Sequence, residues 1–486
     1  MLDNLMPAGI EYYRLLPEIV LTLAGTLIML LEALFHSEEQ RKIFPSLTIA
    51  GLVVALWAAF AANGSQGTAF QGMMVVDNFA TFFRMLVIVV GVVAVCSSSE
   101  YLRRENHTGG EYYALLLYSI VGQCIMAAAN ELIMIFIGLE ISSIASYILA
   151  GYLRDDQRNN ESALKYFLLG SFATAFLLYG VAWIYGATGS TNLSEIHSVL
   201  TAPNPPPLGL VGTAAALMLV GLGFKISAAP FQAWAPDVYQ GAPAPVAAFL
   251  SVGPKAAAFA ILLRIFLGGF GSIADRWTPA VWVVALATMV VGNFAAILQS
   301  NVKRMLAYSS IAHAGYVLVA VTANSATGSA AVMFYLAAYA MTNLGAFAVV
   351  TYFARKGERY VLIDDFAGLA ERQPAMAAMM TIFLLSLIGV PLTGGFFGKF
   401  YIFKAALDAK LVWLTVLGLL NSAVAAYYYL RIMVVMYMYE PGEASDGLPP
   451  AGTALKVAVY GSAIATLILG VLPSIVLDFA TRAALR

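Results

Sequence analysis

Four lysines and one glutamate of this chain occupy positions where a charged side chain is costly. Glu140, Lys165, Lys225, Lys255 and Lys399 each lie within, or at the edge of, a long apolar run. An ionisable group at the centre of a bilayer costs roughly 2.5–3.5 kcal/mol on insertion scales. Such groups can hold and release protons, so a series of them predicts a path along which charge moves.

The composition requires a membrane environment for these charges. The chain has 486 residues, of which 61% are hydrophobic and 11% are charged, whereas soluble domains have about 45–50% apolar and about 25% charged residues. The net charge of −1 excludes a basic nucleic-acid footprint. The first apolar segment has no small-residue cleavage site and predicts a transmembrane helix instead of a removable signal.

Apolar windows of about 20 residues predict an all-α integral membrane fold with about 14 transmembrane helices. The predicted spans are residues 15–35, 43–62, 76–99, 111–129, 131–152, 161–187, 209–228, 243–267, 278–299, 302–323, 328–354, 375–403, 410–438 and 453–480. No soluble domain fits between them.

Basic residues predict the orientation of these spans. The odd-numbered loops carry most of them: Arg41, Lys42, Arg103, Arg104, Arg154, Arg158, Lys303, Arg304, Arg355, Lys356, Arg359, Arg372 and Lys456. The even-numbered loops carry chiefly Arg276 and Lys410. Positive charge favours the cytoplasm. We therefore expect the odd-numbered loops to be cytoplasmic, and we call the side of the molecule on which they lie the arginine-rich end. Both termini then lie in the periplasm of a bacterium, and the chain is a multi-pass inner-membrane protein.

Glycine and proline predict two discontinuous helices beside two of the lysines. Lys225 precedes a break at Pro230, and Lys399 follows a predicted break at Gly394–Gly395. Interrupted helices in two halves are typical of inverted-repeat transporters, because their freed backbone groups face a cavity or protein.

The spacing of the polar residues supports an internal repeat. Glu140 precedes Lys225 by 85 residues, and His313 precedes Lys399 by 86. We therefore expect two inverted five-helix repeats, at residues 111–267 and 278–438. A three-helix N-terminal flank at residues 1–110 and a C-terminal helix at residues 439–486 would enclose them.

Glu140 and Lys225 are predicted to form a switchable pair. A buried lysine beside a carboxylate stays charged, and it releases its proton when the pair opens. The serines that follow Glu140, at 142, 143 and 146, give its helix a polar stripe that helix packing alone could also explain. The alternative for Lys225 is a structural salt bridge.

Each of the other candidates also has a purely structural explanation. Lys165, Lys255 and Lys399 could each extend their ammonium groups to the membrane interface, and this alternative is strongest for Lys165, which closely follows a polar loop. His313, near Ser309, Ser310 and Tyr316, could conduct protons or be a hydrogen-bonded structural residue. Asp77 and Arg84, seven residues apart, suggest an internal ion pair or a subunit contact.

Redox, metal and hydrolytic chemistry lack their usual residues. The two cysteines, Cys96 and Cys124, lie in apolar surroundings, and an iron–sulfur cluster usually needs four thiolates. No phosphate loop, dinucleotide fingerprint or Ser-His-Asp arrangement is evident. We expect no cofactor and no metal to be bound by this chain, and hydride chemistry cannot occur in it alone.

Four stretches, and a distinctive part of one of them, resemble the antiporter-like membrane subunits of bacterial respiratory complex I. They are Phe136–Ser143 (FIGLEISS), Gly221–Lys255 (GLGFKISAAPFQAWAPDVYQGAPAPVAAFLSVGPK), its part Pro236–Val246 (PDVYQGAPAPV), Asn301–Tyr316 (NVKRMLAYSSIAHAGY) and Gly394–Tyr401 (GGFFGKFY). Multisubunit cation/proton antiporters share this scaffold. Subunit L of the complex has a long lateral C-terminal extension, whereas this chain ends at Arg486; subunit M has a glutamate where this chain has Lys399.

The resemblance implies a proton-translocating subunit of an NADH–quinone oxidoreductase, driven by quinone reduction in other chains. Glu140 and Lys225 would form the pair, Lys165 would modulate it, Lys255 would relay protons, His313 would bridge and Lys399 would be the terminal site. Gln232, which cannot titrate, replaces a histidine expected in many relatives.

The resemblance also implies partners and cofactors outside this chain. The expected partners are other membrane subunits, including antiporter-like homologues and small transmembrane subunits, together with the lipid bilayer. NADH, FMN, iron–sulfur clusters and quinone would be used elsewhere in the complex. Two alternatives remain: a subunit of a cation/proton antiporter, and a scaffold whose buried charges only fix helix packing.

Overall fold

The structure is a computed structural model that describes residues 9–485. The terminal residues Met1 and Arg486, whose side of the membrane the sequence predicts, lie outside this range, as do the first eight residues of the predicted N-terminal flank.

The α-helices, in chain order, are α1 (Gly9–Arg14), α2 (Leu16–Leu34), α3 (Glu38–Arg41), α4 (Phe44–Ala62), α5 (Asn78–Arg104), α6 (Gly110–Ala128), α7 (Leu132–Ala150), α8 (Gln157–Thr188), α9 (Leu193–Leu200), α10 (Leu208–Ile226), α11 (Trp234–Gly241), α12 (Ala244–Leu263), α13 (Ala274–Ile297), α14 (Val302–Thr322), α15 (Ala326–Phe353), α16 (Leu369–Arg372), α17 (Pro374–Ile388), α18 (Gly394–Asp408), α19 (Val412–Met438), α20 (Thr453–Val471) and α21 (Ser474–Ala483). A π-helical turn, Arg264–Gly269, extends α12. Short 3-10 turns lie at Asn63–Ser65, Gly271–Ile273, Lys356–Glu358, Ile363–Phe366 and Glu443–Ser445. Strands β1 (Gly67–Ala69) and β2 (Met74–Val76) form an antiparallel hairpin.

Thirteen of these helical segments, within residues 9–485, are long and apolar enough to cross a membrane. The predicted all-α integral membrane fold is confirmed. The twelfth predicted span, residues 375–403, differs in detail because it consists of two shorter helices, α17 and α18.

Both predicted discontinuous helices are present, and each stops at a residue in the left-handed conformation. Ser227, with φ of 60°, ends α10, and Gly389, with φ of 95°, ends α17. Such a residue closes a helix by turning the chain out of the helical path. The first break contains Pro230, as predicted.

The second break lies at residues 389–393, so its predicted location at Gly394–Gly395 is wrong. These two glycines begin α18. They serve close packing, because a Cβ atom on Gly395 would lie 1.9 Å from the carbonyl oxygen of Ser386 in α17. The two halves of the broken helix therefore approach each other closely.

Helices α12 and α14 form the centre of the bundle. All residues in the most apolar 18-residue stretch of α12 and its π-helical extension are buried, whereas 33% are buried in that of the segment containing α4. Small residues make this burial possible: α12 contains Ala247, Ala248 and the run Ala256–Ala258, which let neighbouring helices approach. Lys255 and His313 thus lie on the two helices farthest from lipid.

Two ion pairs involve the N-terminal flank, but not as the sequence predicts: one lies within the flank, and the other joins it to the bundle. Asp77 and Arg84 do not pair with each other. Arg84 binds Glu18 of α2 with an Nη2–Oε1 distance of 2.7 Å, and both side chains are at most 3% exposed. Asp77 caps α5 and binds Arg264 at 2.9 Å. Asp77 precedes the helix, so its carboxylate turns to the helix end instead of along the helical face.

A second buried ion pair lies at the arginine-rich end. Lys303, which the sequence places among loop charges, is fully buried in the first turn of α14. Its Nζ lies 2.5 Å from Oε2 of Glu358 and donates to the carbonyl of Ala242 at 2.6 Å. Glu358 also accepts hydrogen bonds from the Tyr101 hydroxyl at 2.8 Å and the Ala244 amide at 2.7 Å. This cluster joins α5, α12, α14 and the segment after α15.

Substitution of Arg84 by leucine should destabilise the protein by about 3–5 kcal/mol, because it leaves the Glu18 carboxylate buried and unpaired. The double variant Glu18→Leu/Arg84→Met should regain most of the lost stability, since apolar residues of similar volume often replace a buried pair without cost. Thermal unfolding of the purified full chain in detergent measures both. An equal loss in the single and double variants would contradict the assignment.

Candidate functional site

Lys225 lies at the last turn of α10, immediately before the first break. Its Nζ donates to Oγ of Ser143 at 2.6 Å and to the Tyr147 hydroxyl at 3.3 Å. The ammonium also lies 5.2 Å from the centre of the Tyr147 ring. These partners belong to α7, so the side chain of Lys225 reaches the helix that carries Glu140.

Glu140 and Lys225 do not form a direct ion pair within 4.0 Å in this structure. Glu140, Ser143 and Tyr147 follow one another at helical spacing, so the lysine that reaches this face meets the two hydroxyl groups first. Oε1 of Glu140 is buried and has no hydrogen-bond partner among residues 9–485. Lys225 therefore contacts hydroxyl groups on the face of α7 that carries Glu140, and not the carboxylate itself.

The serines of the predicted polar stripe have two different roles. Ser142 and Ser146 contact Ser119 of α6, with oxygen–oxygen distances of 3.1 and 3.2 Å. They join α6 to α7, as hydroxyl groups often do between membrane helices. Ser143 alone faces Lys225. Helix packing thus accounts for two of the serines and leaves the third for the lysine.

Lys255 lies in the middle of α12 and is 3% exposed. Its Nζ donates to Oγ of Ser310 at 2.6 Å and to the Ser310 carbonyl at 3.3 Å. Ser310 lies on α14 three residues before His313, almost one helical turn away. Burial at the centre of the bundle excludes the alternative that this lysine extends to the membrane interface.

His313 is hydrogen-bonded through both ring nitrogens. Nδ1 lies 2.5 Å from the hydroxyl of Tyr335, and Nε2 lies 3.1 Å from the hydroxyl of Tyr429. Tyr429 also contacts the hydroxyl of Ser309. The imidazole therefore connects two tyrosines from α15 and α19. Such hydrogen-bonded groups can exchange protons when one partner reorients.

Lys399 is held by the end of the broken helix. Its Nζ donates to the carbonyls of Leu387 and Ile388, the last two residues of α17, at 2.9 and 2.8 Å. Ser422 of α19 accepts a third bond at 2.7 Å. The carbonyls at a helix C-terminus carry partial negative charge and stabilise a cation there. The side chain is 6% exposed, so it does not extend to the interface either.

A small cavity lies between His313 and the surroundings of Lys399. It measures about 10 Å³ and is lined by His313, Tyr335, Ser386, Leu387 and Gly395 among others. That volume is close to the roughly 10–15 Å³ needed for one water molecule. Leu387, which lines the cavity, also supplies a carbonyl to Lys399.

Aromatic side chains connect the environments of Lys225 and Lys255. The Lys225 ammonium lies 5.8 Å from the Tyr166 ring, which stacks on Trp234 at 4.5 Å. Trp234 contacts Tyr239 at 6.0 Å, and the Lys255 ammonium lies 5.9 Å from the Tyr239 ring. This is the least polar part of the series.

Lys165 lies apart from the other candidates. Its Nζ contacts Glu161 at 2.6 Å and Asp237 at 2.9 Å, and its side chain is 41% exposed. Asp237 also binds Arg304 at 2.6 Å. The carboxylate of Asp237 is thus shared between two cations. The structure thus places Lys165 in a surface charge cluster at the arginine-rich end.

Several residues of the site have no clear signal in the sequence. Tyr147, Tyr335, Tyr429 and Ser422 are hydroxyl-bearing residues in apolar helices, where such residues are common. Asp237 is different, because it is the one carboxylate in the distinctive stretch Pro236–Val246. Gln232 lies in the first break, and its Oε1 is buried without a partner among residues 9–485.

The described part of the chain contains no group of three or more His, Cys, Asp or Glu side chains placed to hold a metal ion. Cys96 and Cys124 are both buried and unpaired there. What the arrangement offers is a series of buried groups, at Lys225, Lys255, His313 and Lys399, each hydrogen-bonded to hydroxyls or carbonyls. Groups of this kind can hold and transfer protons.

Comparison with known proteins places this arrangement in a family. The profile described as "NADH:quinone oxidoreductase/Mrp antiporter, TM" matches residues 129–425. NADH-quinone oxidoreductase subunit N 1 of Solibacter usitatus is 65% identical over 471 residues, which cover 97% of this chain and 96% of that protein.

Solved structures give the same result. A chain of respiratory complex I from Thermus thermophilus with bound Aureothin superposes with a TM-score of 0.82 and 35% identity, covering 96% of this chain and 99% of that one. A chain of the Mrp complex from Dietzia sp. has a TM-score of 0.82 at 22% identity, covers 96% of each chain and shares the fold. The resemblance noted in the sequence is confirmed: the chain belongs to the NADH:quinone oxidoreductase/Mrp antiporter family of transmembrane proteins.

Proposed function

We propose that the chain is subunit N of a bacterial NADH–quinone oxidoreductase of the complex I type, and that it translocates protons across the membrane. The observation that carries this proposal is the series of buried lysines and His313, each hydrogen-bonded to a hydroxyl or carbonyl partner. Charge is costly at this depth. A scaffold that only needed helix packing would be served by apolar residues, since buried ion pairs contribute little net stability.

In this proposal the proton passes through two regions, the first around Lys225 and the second around Lys255, His313 and Lys399. Lys225 forms the first with Ser143 and Glu140, and movement of the lysine past Ser143 would bring the two charges together. Lys255 relays the proton through Ser310 to His313 and its tyrosines. Lys399, the terminal site, receives it across the small cavity. Lys165 modulates the first region from outside, through Asp237.

Lys225 and Lys255 lie in the first proposed repeat, and His313 and Lys399 lie in the second. In each, the fourth transmembrane helix is the broken one: α10 and α11 within residues 111–267, and α17 and α18 within residues 278–438. The lysines lie on opposite sides of their breaks, Lys225 before the first and Lys399 after the second. Residues 1–110 and 439–486 flank the repeats.

The energy for this cycle would come from other chains. NADH, FMN, iron–sulfur clusters and quinone would be bound by other subunits, and quinone reduction there would drive the relay electrostatically. Other membrane subunits, both antiporter-like and small, are the proposed partners. The chain would lie in the inner membrane with its arginine-rich end in the cytoplasm and both termini in the periplasm.

A subunit of a multisubunit cation/proton antiporter is the second candidate. The family description includes the Mrp antiporters, and the Dietzia chain shares the fold. Identity separates the candidates: the relative from Solibacter usitatus is 65% identical and the Mrp chain 22%.

Co-purification distinguishes these candidates. We expect the tagged chain, extracted from its native membrane in mild detergent, to retain flavin- and iron–sulfur-containing subunits, detected by absorption spectra and mass spectrometry. Recovery with small antiporter subunits alone would exclude the complex I assignment.

Lys225→Ala should lower the number of protons moved per electron in the assembled complex, because the variant removes the first proton-holding group. Electron transfer from NADH to an artificial acceptor should stay unchanged. The matched control is Lys404→Ala, which removes an exposed lysine paired with Asp408. An unaltered proton-to-electron ratio in the Lys225 variant would falsify its role in the relay.

Tyr429→Phe tests the bridge around His313 with little change in packing. Loss of the hydroxyl leaves the histidine without its Nε2 partner, and an unmade buried hydrogen bond costs about 1–3 kcal/mol. Proton translocation should slow by about ten-fold, as measured with a pH-sensitive dye in vesicles. Tyr437→Phe is the control, since that tyrosine is half exposed. Equal rates in both variants would show that Tyr429 only packs.

A further inference from the structure

A basic cavity lies at the arginine-rich end, away from the lysine series. Its volume is about 270 Å³, and it lies where α4, α6 and α20 begin and α5 ends. Arg41, Lys42 and Arg103 line it, together with the hydroxyl groups of Ser46, Ser99 and Thr108. Neither the relay nor the breaks use these residues.

The cations of this cavity have spare capacity for an anion. Arg103 forms no ion pair or side-chain hydrogen bond within residues 9–485. Arg41 binds Glu32 at 2.7 Å, but its Nε is buried without a partner in that same range. Lys42 is about half exposed, and among residues 9–485 its ammonium pairs with Glu39 alone, on the preceding turn. A phosphate oxygen between these groups would satisfy donors that the protein itself leaves open.

The first turn of α4 adds to this preference. Pro45 and Ser46, in that turn, line the cavity, and Ser46 brings a hydroxyl group that can donate to an anion.

An apolar stripe continues from the cavity into the membrane. Ile49 lines the cavity, and Val53, Trp57 and Phe60 follow on the same face of α4 at helical spacing. These three side chains are 54%, 63% and 68% exposed. The occupant should therefore have an anionic head and a long hydrocarbon tail.

We propose that this cavity binds the phosphate headgroup of an anionic phospholipid, with one acyl chain along the stripe from Ile49 to Phe60. Basic pockets between transmembrane helices at the cytoplasmic side commonly hold such headgroups. Free inorganic phosphate would share the cationic contacts but would leave the stripe unused. Lipid binding here would hold the start of α4 against the end of α5 and the start of α6.

Native mass spectrometry of the full chain in non-ionic detergent tests the proposal, with phosphatidylglycerol and phosphatidylcholine of equal chain length as probes. We expect a single tight phosphatidylglycerol adduct. The double variant Lys42→Gln/Arg103→Gln should weaken it by about five-fold per removed cation, since each contributes about 1 kcal/mol to binding anionic lipid. The charge-retaining variant Lys42→Arg/Arg103→Lys should keep it.

The matched control is Arg276→Gln/Lys410→Gln, which removes two exposed cations from the opposite end and should leave lipid binding unchanged. Equal affinity for the two lipids, or an equal drop in the control, would overturn the proposal. Displacement of the lipid by millimolar inorganic phosphate would also overturn it, because the stripe would then contribute nothing. Thermal unfolding of each variant verifies that the chain remains folded.

Discussion

A charge taken out of water must find compensating dipoles, and the broken helices supply them in this protein. Lys399 is bound by the carbonyls of Leu387 and Ile388, which would be engaged within the helix if α17 continued. Lys225 belongs to the C-terminal turn of α10, where the helix dipole is also negative. Break and lysine are thus two parts of one feature: the interruption creates the site, and the ammonium stabilises the interruption.

The centre of the molecule follows from the same constraint. Lys255 and His313 have no helix end beside them, so hydroxyl groups serve as partners, from Ser310, Tyr335 and Tyr429. These groups can reach them only because α12 is rich in alanine and its neighbours pack closely around it. Tight helix packing and a polar interior support each other here, since each unpaired buried donor would otherwise cost about 1–3 kcal/mol.

Sequence patterns identified most of the fold and the charged part of the site. Long apolar windows located the spans, and Pro230 located the first break, because these signals depend on local chain chemistry. The second break was displaced by several residues, since the glycines that mark it serve close packing against Ser386 and not the turn itself. Partners were harder to foresee: Arg84 bound Glu18 instead of Asp77, and Lys225 bound Ser143 instead of Glu140. Which side chain meets which across helices depends on rotation and depth, and no local pattern records these.

The cluster around Glu358 has a consequence for the order in which the protein is made. Glu358 accepts a hydrogen bond from the hydroxyl of Tyr101, a residue 257 positions earlier in the chain. At a synthesis rate of about 5–20 residues per second, roughly 13–50 seconds separate the two partners. Until Glu358 is made, the Tyr101 hydroxyl lacks this acceptor, and so does the amide of Ala244 once it has been made, 114 positions before Glu358. The first half of the bundle therefore cannot complete these hydrogen bonds until the second half has been made.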